Sequence, residues 1–253
     1  MSDPLRDLFL DIGNSRIKWG YRQSEEGQAG EWCHGVCDEA EFASLNWPFE
    51  IRRLLVSCVR DKPALRQQLQ QRFAERLVWF SEPLADIPLF RHCYSDHRRL
   101  GVDRWLAMLG AQCRCQDDVL VVDAGTALTL DLLDKDTQHQ GGWIVAGVAL
   151  AQQALFQQTE RVNPFMDEQQ AIHAGPGRDT LGCVSAGARR QLLALVLSVM
   201  ADYPQYRVFV CGGDGLWLCQ TLQADGEVQR DIVHAPELIF EGMESLCAGS
   251  FLP

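Results

Sequence analysis

The sequence predicts an α/β protein built from two related halves. Two observations carry that expectation. The first is a repeated opening: an apolar run, an Asp-x-Gly bend, then a second strand-like run. It occurs as Leu8-Phe9-Leu10 before Asp11-Ile12-Gly13-Asn14-Ser15-Arg16-Ile17-Lys18, and as Val119–Val122 before Asp123-Ala124-Gly125-Thr126-Ala127-Leu128-Thr129-Leu130. The second is that each opening leads into a further strand and then a helical pattern. A unit that recurs in this way points to an internal duplication. The boundary falls near Arg114–Asp117, giving halves 1–115 and 116–253 with a mixed sheet in each. A ligand is expected in the cleft between them.

The elements come in this order. Leu8–Ile12 and Ile17–Tyr21 form a hairpin-like pair, and a polar loop runs around Ser24–Gly30. Arg53–Val59 reads as a strand. Pro63 opens a helix to about Arg76, because Leu65, Leu69 and Phe73 recur at helical spacing and proline suits a first helical turn. Leu77–Phe80 is a short strand, and Pro83 and Pro88 mark a loop. A helix follows Gly101, with Leu106, Leu109 and Gly110 on its packing face. The second half restarts with strands Val119–Val122 and Leu128–Leu133, a turn around Asp134–Gln140, and the strand Gly141–Gly147. A helix covers about Ala149–Thr159, the aperiodic Asn163–Thr180 is a loop, and a long helix covers Leu181–Ala201. Strand Arg207–Cys211, helix Leu216–Leu222, strand Asp231–His234 and a helix opened by Pro236 complete the chain.

Composition excludes several classes. Of 253 residues, 47% are hydrophobic and 23% charged, the balance of a globular protein. A net charge of -11 argues against a nucleic-acid partner. Bound phosphate must then be held by local N–H groups, lysine and metal. The 10 cysteines are scattered without a Cys-x-x-Cys pair. Cys33-His34-x-x-Cys37 lacks a second half-site, so ordinary reduced thiols are the expectation. With Asp3, Arg6 and Asp7 before its apolar run, the N-terminus is not expected to act as a signal peptide. The apolar stretches near Trp143–Ala151 and Leu192–Met200 are too short to span a bilayer. A cytoplasmic protein with no membrane partner is the expectation.

Gly13 permits an unusual backbone angle, Asn14 tolerates the left-handed region and Ser15 supplies a hydroxyl. Asp11 can hold Mg²⁺ through water, and Lys18 on the outgoing strand can reach phosphates. Alone, this segment reads more readily as a tight hairpin, and so does Asp123–Thr129. Together the two reverse that balance, because a carboxylate at the end of a buried strand is costly unless it meets a cation or N–H groups. In Gly101-Val102-Asp103-Arg104, Asp103 at a helix start stays ionised and suits a general base, and Arg104 suits an anionic substrate group. By spacing alone, Asp103 reads more readily as a residue stabilising its own helix. Cys211-Gly212-Gly213-Asp214-Gly215 is a strand-to-helix turn that allows close approach of a nucleotide. Asn163-Pro164-Phe165 and Gly175–Thr180 read as substrate or interface loops.

In order and spacing over nearly the whole chain, three segments resemble the type III pantothenate kinases: Asp11-x-Gly13-Asn14-Ser15-x-x-Lys18, Gly101-Val102-Asp103-Arg104 and Asp123-Ala124-Gly125-Thr126-Ala127. Gly177-Arg178-Asp179-Thr180 and Gly212-Gly213 also fit. The resemblance implies two ribonuclease-H-like halves of the actin-like ATPase superfamily. It implies transfer of phosphate from ATP to pantothenate, giving 4′-phosphopantothenate, at the first step of coenzyme A synthesis. It makes Asp103 the catalytic base, and Tyr94, Gly101, Val102, Asp103, Arg104 and Thr180 the pantothenate site. Asp11, Ile12, Gly13, Asn14, Ser15, Arg16, Ile17 and Lys18 would bind ATP, with Thr126 on the other side. Asp123 would ligate K⁺ or NH₄⁺, with Mg²⁺ accompanying ATP. Thr180 would reach a neighbouring site in a homodimer.

Ser15 stands where the family has Thr, keeping the hydroxyl, and Val102 stands where Ala is commoner, at a position expected only to pack. Two other readings stay open on sequence: a kinase for another small alcohol, and a non-catalytic regulatory protein on the same fold. Some relatives are named as accessory factors for virulence gene expression. Intact Asp103, Lys18 and Asp123 argue for catalysis.

Overall fold

The structure is a computed structural model. It describes residues 4–14, 16–23, 30–60, 62–81, 90–162, 164–166, 168, 170, 172–226 and 230–248. Ser15, Asn163, the loop expected over 24–29 and the Pro83–Pro88 loop lie outside the described residues. The chain divides into two compact units, one of Met1–Gln116 with Glu237–Pro253, the other Asp117–Pro236.

The first unit contains strands β1 (Leu5–Ile12), β2 (Ile17–Gln23), β3 (Glu31–Cys37), β4 (Glu50–Cys58) and β5 (Leu77–Phe80), in the order β3-β2-β1-β4-β5. β1, β2 and β3 pair antiparallel, whereas β1–β4 and β4–β5 pair parallel. The central strands are continuous apolar runs because both of their faces are covered. Leu8, Leu10 and Ile12 join Leu54, Val56, Leu69 and Phe73 in one core. Phe9 points to the opposite face, as the two-residue period of a strand requires.

The helices of this unit are α1 (Glu39–Ser44), α2 (Pro63–Phe73) and α3 (Val102–Arg114), joined by the chain's last helix, Leu238–Cys247. α2 ends sooner than its spacing predicts, its last turn tightening into a 3₁₀ turn over Ala74–Arg76. β3 and α1 add to the elements expected from the sequence. β3 is poorly buried and interrupted by Gly35, so its alternation is weak. α1 carries a capping box in which Asp38 and Glu41 satisfy each other's backbone N–H groups.

The second unit repeats the plan. Its strands β6 (Val119–Ala124), β7 (Ala127–Leu133), β8 (His139–Ala146), β9 (Arg207–Cys211) and β10 (Ile232–His234) lie in the order β10-β9-β6-β7-β8. β6, β7 and β8 pair antiparallel, and β6–β9 and β9–β10 pair parallel. Strand order and direction are therefore the same in both units. Helices α4 (Val148–Gln158), α5 (Thr180–Asp202) and α6 (Gly215–Ala224) follow the expected pattern to within a few residues. α5 alone among the described helices is long and apolar enough, by length and composition, to cross a membrane. This differs from the expectation drawn from Leu192–Met200. Half of that apolar window is buried, with Leu192, Val196, Val199 and Met200 in the core beneath β6 and β9.

The expected second half, 116–253, differs from the observed unit at its end. The terminal helix α7 (Leu238–Cys247) packs on the first unit. Phe240 meets Phe9 and Trp32 at ring-centroid distances of 6.1 and 5.6 Å. Glu244 pairs with Arg22 and Glu241 with Arg114.

Asp7 on β1 accepts hydrogen bonds from both Arg52 and Arg53 of β4. Burial alone would raise its pKa, but the two guanidiniums outweigh burial and hold the carboxyl below the usual carboxylate range. A folded-state pKa below the unfolded value gives stability that is present above that unfolded value, about 3.9, and lost as pH falls through the folded one. Asp7→Asn is expected to be less stable than the parent at pH 7, the gap closing below about pH 4. Urea titrations at pH 7 and pH 3 measure this; a gap independent of pH would contradict it.

Candidate active site

Asp11 is the penultimate residue of β1, and its partners come from both neighbouring strands. Lys18 faces it across the β1–β2 register, with Nζ 3.6 Å from Oδ2, and the Ser57 hydroxyl at the end of β4 donates to Oδ1 at 2.8 Å. Asp11 is only 4% exposed, and Lys18 and Ser57 supply the cation and the donor that a buried carboxyl group needs. Gly13 N–H donates to the Arg16 carbonyl at 3.1 Å, closing the bend. A cavity of about 350 Å³ lies against Gly13 and Asn14. Ile12 and Ile17 face each other across the register with their side chains in the core, so they can offer a ligand only backbone. Asn14 and Arg16 are exposed at the bend.

The second predicted group sits at the start of α3. Gly101 is the N-cap and Asp103 lies in the first turn. Asp103 Oδ1 accepts from the Arg104 N–H at 2.9 Å and folds back over Gly101, where a Cβ would come within 2.7 Å of it. Glycine is thus required for that carboxylate position. Arg104 is 7% exposed and donates from Nη1 to the Tyr94 hydroxyl at 2.7 Å. Tyr94 and Arg104, ten residues apart, are brought together as one unit. Val102 is buried and only packs.

In the second unit, Asp123 holds the position in β6 that Asp11 holds in β1. The register shows how the two differ. Asp11 has Lys18 and Ser57 opposite it, whereas Asp123 has Thr129 and Cys211. The Asp123 bend closes through Gly125 N–H to the Ala127 carbonyl at 3.0 Å, and Thr126 is exposed at its tip. Gly212 approaches so closely that a Cβ there would strike Asp123 Oδ1 and the Ala124 carbonyl; its φ of +90° also requires glycine. The Gly212-Gly213 turn read from sequence therefore backs the Asp123 bend, and Asp214 N–H donates to the Ala124 carbonyl at 2.8 Å. Thr180 opens α5, half-buried, between two capping contacts: Asp179 accepts from Gly182 N–H, and Glu168 from Leu181 N–H.

Three contributors were missed in the sequence: Ser57, Arg60 and Glu168. Arg60 Nη1 donates to the Asn14 carbonyl at 2.9 Å. A serine closing a strand and an arginine in the following turn carry no local signal; only strand pairing sets Ser57 beside Asp11, 46 residues away.

The two units share one sheet order and each carries an Asp-x-Gly bend after its first strand, the duplicated α/β architecture of actin-like and sugar-kinase-like folds. The chain resembles, over 96% of its length with a TM-score of 0.59 and 20% identity, a protein described as a Baf family transcriptional activator from Campylobacter jejuni. It also resembles, over 98% of its length with a TM-score of 0.51 and 12% identity, a protein described as a 2-dehydro-3-deoxygalactonokinase from Sinorhizobium meliloti. These likenesses show the fold. A family model for type III pantothenate kinase matches residues 7–202. Type III pantothenate kinases of Ectopseudomonas mendocina and Alcanivorax borkumensis are 33% and 30% identical, each aligned over 95% of this chain and 98% of their own length. The chain belongs to the type III pantothenate kinase family. Membership makes it a phosphotransferase and carries with it phosphorylation of pantothenate in coenzyme A biosynthesis.

Proposed function

We propose that the chain transfers the terminal phosphoryl group of ATP to the pantothenate hydroxyl, with Asp103 as the base. The observation that carries the assignment is the first turn of α3. An acidic group there is poised over glycine, next to a buried arginine already bonded to a tyrosine hydroxyl. Asp103 takes the proton of the pantothenate hydroxyl as the hydroxyl oxygen attacks the γ-phosphorus of ATP, the bond to the bridging oxygen breaks and ADP leaves. Arg104 and Tyr94 hold the anionic and polar ends of pantothenate. The Asp11–Lys18 bend receives the phosphates of ATP. Phosphoryl transfer depends on such positioning and charge placement more than on covalent help.

The donor chemistry fits two kinds of cation. Asp11, buried and oxygen-rich with Ser57, suits Mg²⁺ held through water. Asp123 has Thr129 at the register position where Asp11 has a lysine, so a monovalent cation is the charge that suits it. Such cations, when bound, offset the negative charge of the phosphates. Thr126 belongs to the ATP side and Thr180 to pantothenate, acting across a homodimer. The enzyme works in the cytoplasm.

Mass spectrometry of a reaction containing ATP, Mg²⁺, K⁺ and pantothenate is expected to show 4′-phosphopantothenate, the rate falling steeply when Na⁺ replaces K⁺. The same preparation is expected to sediment as a dimer. ATP consumption with a different alcohol and none with pantothenate would overturn the substrate; indifference to the cation would overturn the role of Asp123.

A further inference from the structure

The turn after β4 carries basic residues that the family motifs do not use. Backbone pairing continues past the strand, with Val59 N–H donating to the Ile12 carbonyl at 3.3 Å, so this turn tracks the phosphate bend closely. The Cys58 thiol donates to the Arg60 carbonyl at 3.0 Å and steadies the turn. Arg60 then reaches the bend itself, donating from Nη1 to the Asn14 carbonyl at 2.9 Å. Arg60, Lys62, Arg16 and Asn14 line the same cavity of about 350 Å³, together with Asp38 and Glu39. Lys62 is paired with Glu39 and so its charge is spent locally. Among the described lining residues, Arg16, Arg60 and Lys62 face Asp38 and Glu39, in a chain whose net charge is -11.

We infer that Arg60 is an ATP-recognition residue: one arm of its guanidinium fixes the apex of the phosphate bend, and the same group supplies cationic charge to the polyphosphate. This rests on the kinase reading above and adds a residue to it. Arginine suits both tasks, since its planar fork can hold a carbonyl with one nitrogen while others face an anion. The charge matters because no global positive field draws phosphate to this protein.

The test is Arg60→Ala and Arg60→Lys, each measured in steady-state kinetics and in direct binding of Mg-ATP by calorimetry. A charge-assisted contact at an exposed site predicts about a tenfold rise in KM and Kd for ATP in Arg60→Ala. KM for pantothenate and the melting temperature are expected to stay at parent values, which a merely structural role would not produce. Arg60→Lys is expected to recover part of the loss, because the charge returns without the fork. Unchanged ATP affinity in Arg60→Ala, or no recovery in Arg60→Lys, overturns the inference while parent turnover of pantothenate leaves the kinase reading intact. Parent protein that binds ATP and makes no phosphopantothenate overturns the substrate, and a loss of ATP affinity in Arg60→Ala then still supports Arg60.

Discussion

Asp103→Asn is expected to lower kcat for pantothenate phosphorylation by about 10²–10⁴-fold, the usual contribution of a positioned general base. The change is nearly isosteric. The asparagine carbonyl can still accept from Arg104 N–H, as Asp103 Oδ1 does at 2.9 Å, and Gly101 still leaves room for the side chain. What disappears is the capacity to take a proton. A carboxylate in the first turn of α3 also gains from the helix dipole, and losing that costs at most about 1 kcal/mol of stability. KM for ATP is expected to hold, because the phosphate bend of β1 and β2 does not include Asp103. Single-turnover kinetics with the purified variant measure the chemical step directly. A rate near that of the parent would remove Asp103 as the base and leave the helix-stabilising reading of the same residue.

Gly110→Ala is expected to destabilise the fold although it adds a single methyl group. α3 and α7 cross with two reciprocal backbone contacts: a Cβ at Gly110 would strike the Leu238 carbonyl, and a Cβ at Gly242 would strike that of Leu106. Both obstacles are backbone atoms, so no side-chain rotation relieves them. Alanine is the better helix former by about 1 kcal/mol. Overpacking of a rigid contact costs about 1–3 kcal/mol or more and prevails here. With roughly 2–4 °C per kcal/mol for a chain of this size, the melting temperature should fall by about 5 °C. Gly187→Ala in α5 provides the opposite sign, because among the described residues nothing beyond the helix's own backbone lies within 4 Å of a Cβ there. That variant is expected to gain about 1 kcal/mol. If scanning calorimetry found both substitutions neutral, α3 and α7 would not meet in a rigid backbone contact.

Much of the fold was legible because its strands and helices bury faces that set a period. Leu8–Leu10 and Val119–Val122 are buried on both sides and read as unbroken apolar runs. α3 and α5 begin where Gly101 and Asp179 stand as caps. β3 was not legible, since a mostly exposed strand with a glycine in it leaves little alternation. α1 was not legible either: a helix of 6 residues is too short to display a period, and its one local sign is the Asp38–Glu41 capping box.

The chain by itself determined the two Asp-x-Gly bends, the acid at the start of α3, the serial order of elements and the likeness to one kinase family, because each is a property of neighbouring residues. Only the tertiary structure decided which partners those groups meet. It gave Asp11 the Ser57 hydroxyl and Lys18, gave Asp123 the uncharged Cys211 and Thr129 as register neighbours, and bonded Arg104 to Tyr94. It also placed the last helix on the first unit. The amphipathic pattern of α7 fixed that it must be buried, but not where. That depended on Phe9, Trp32 and Gly110, more than a hundred residues earlier, whose surfaces its apolar face fits. Pairing across a sheet and packing across helices are long-range choices, and a local pattern carries no record of its distant partner.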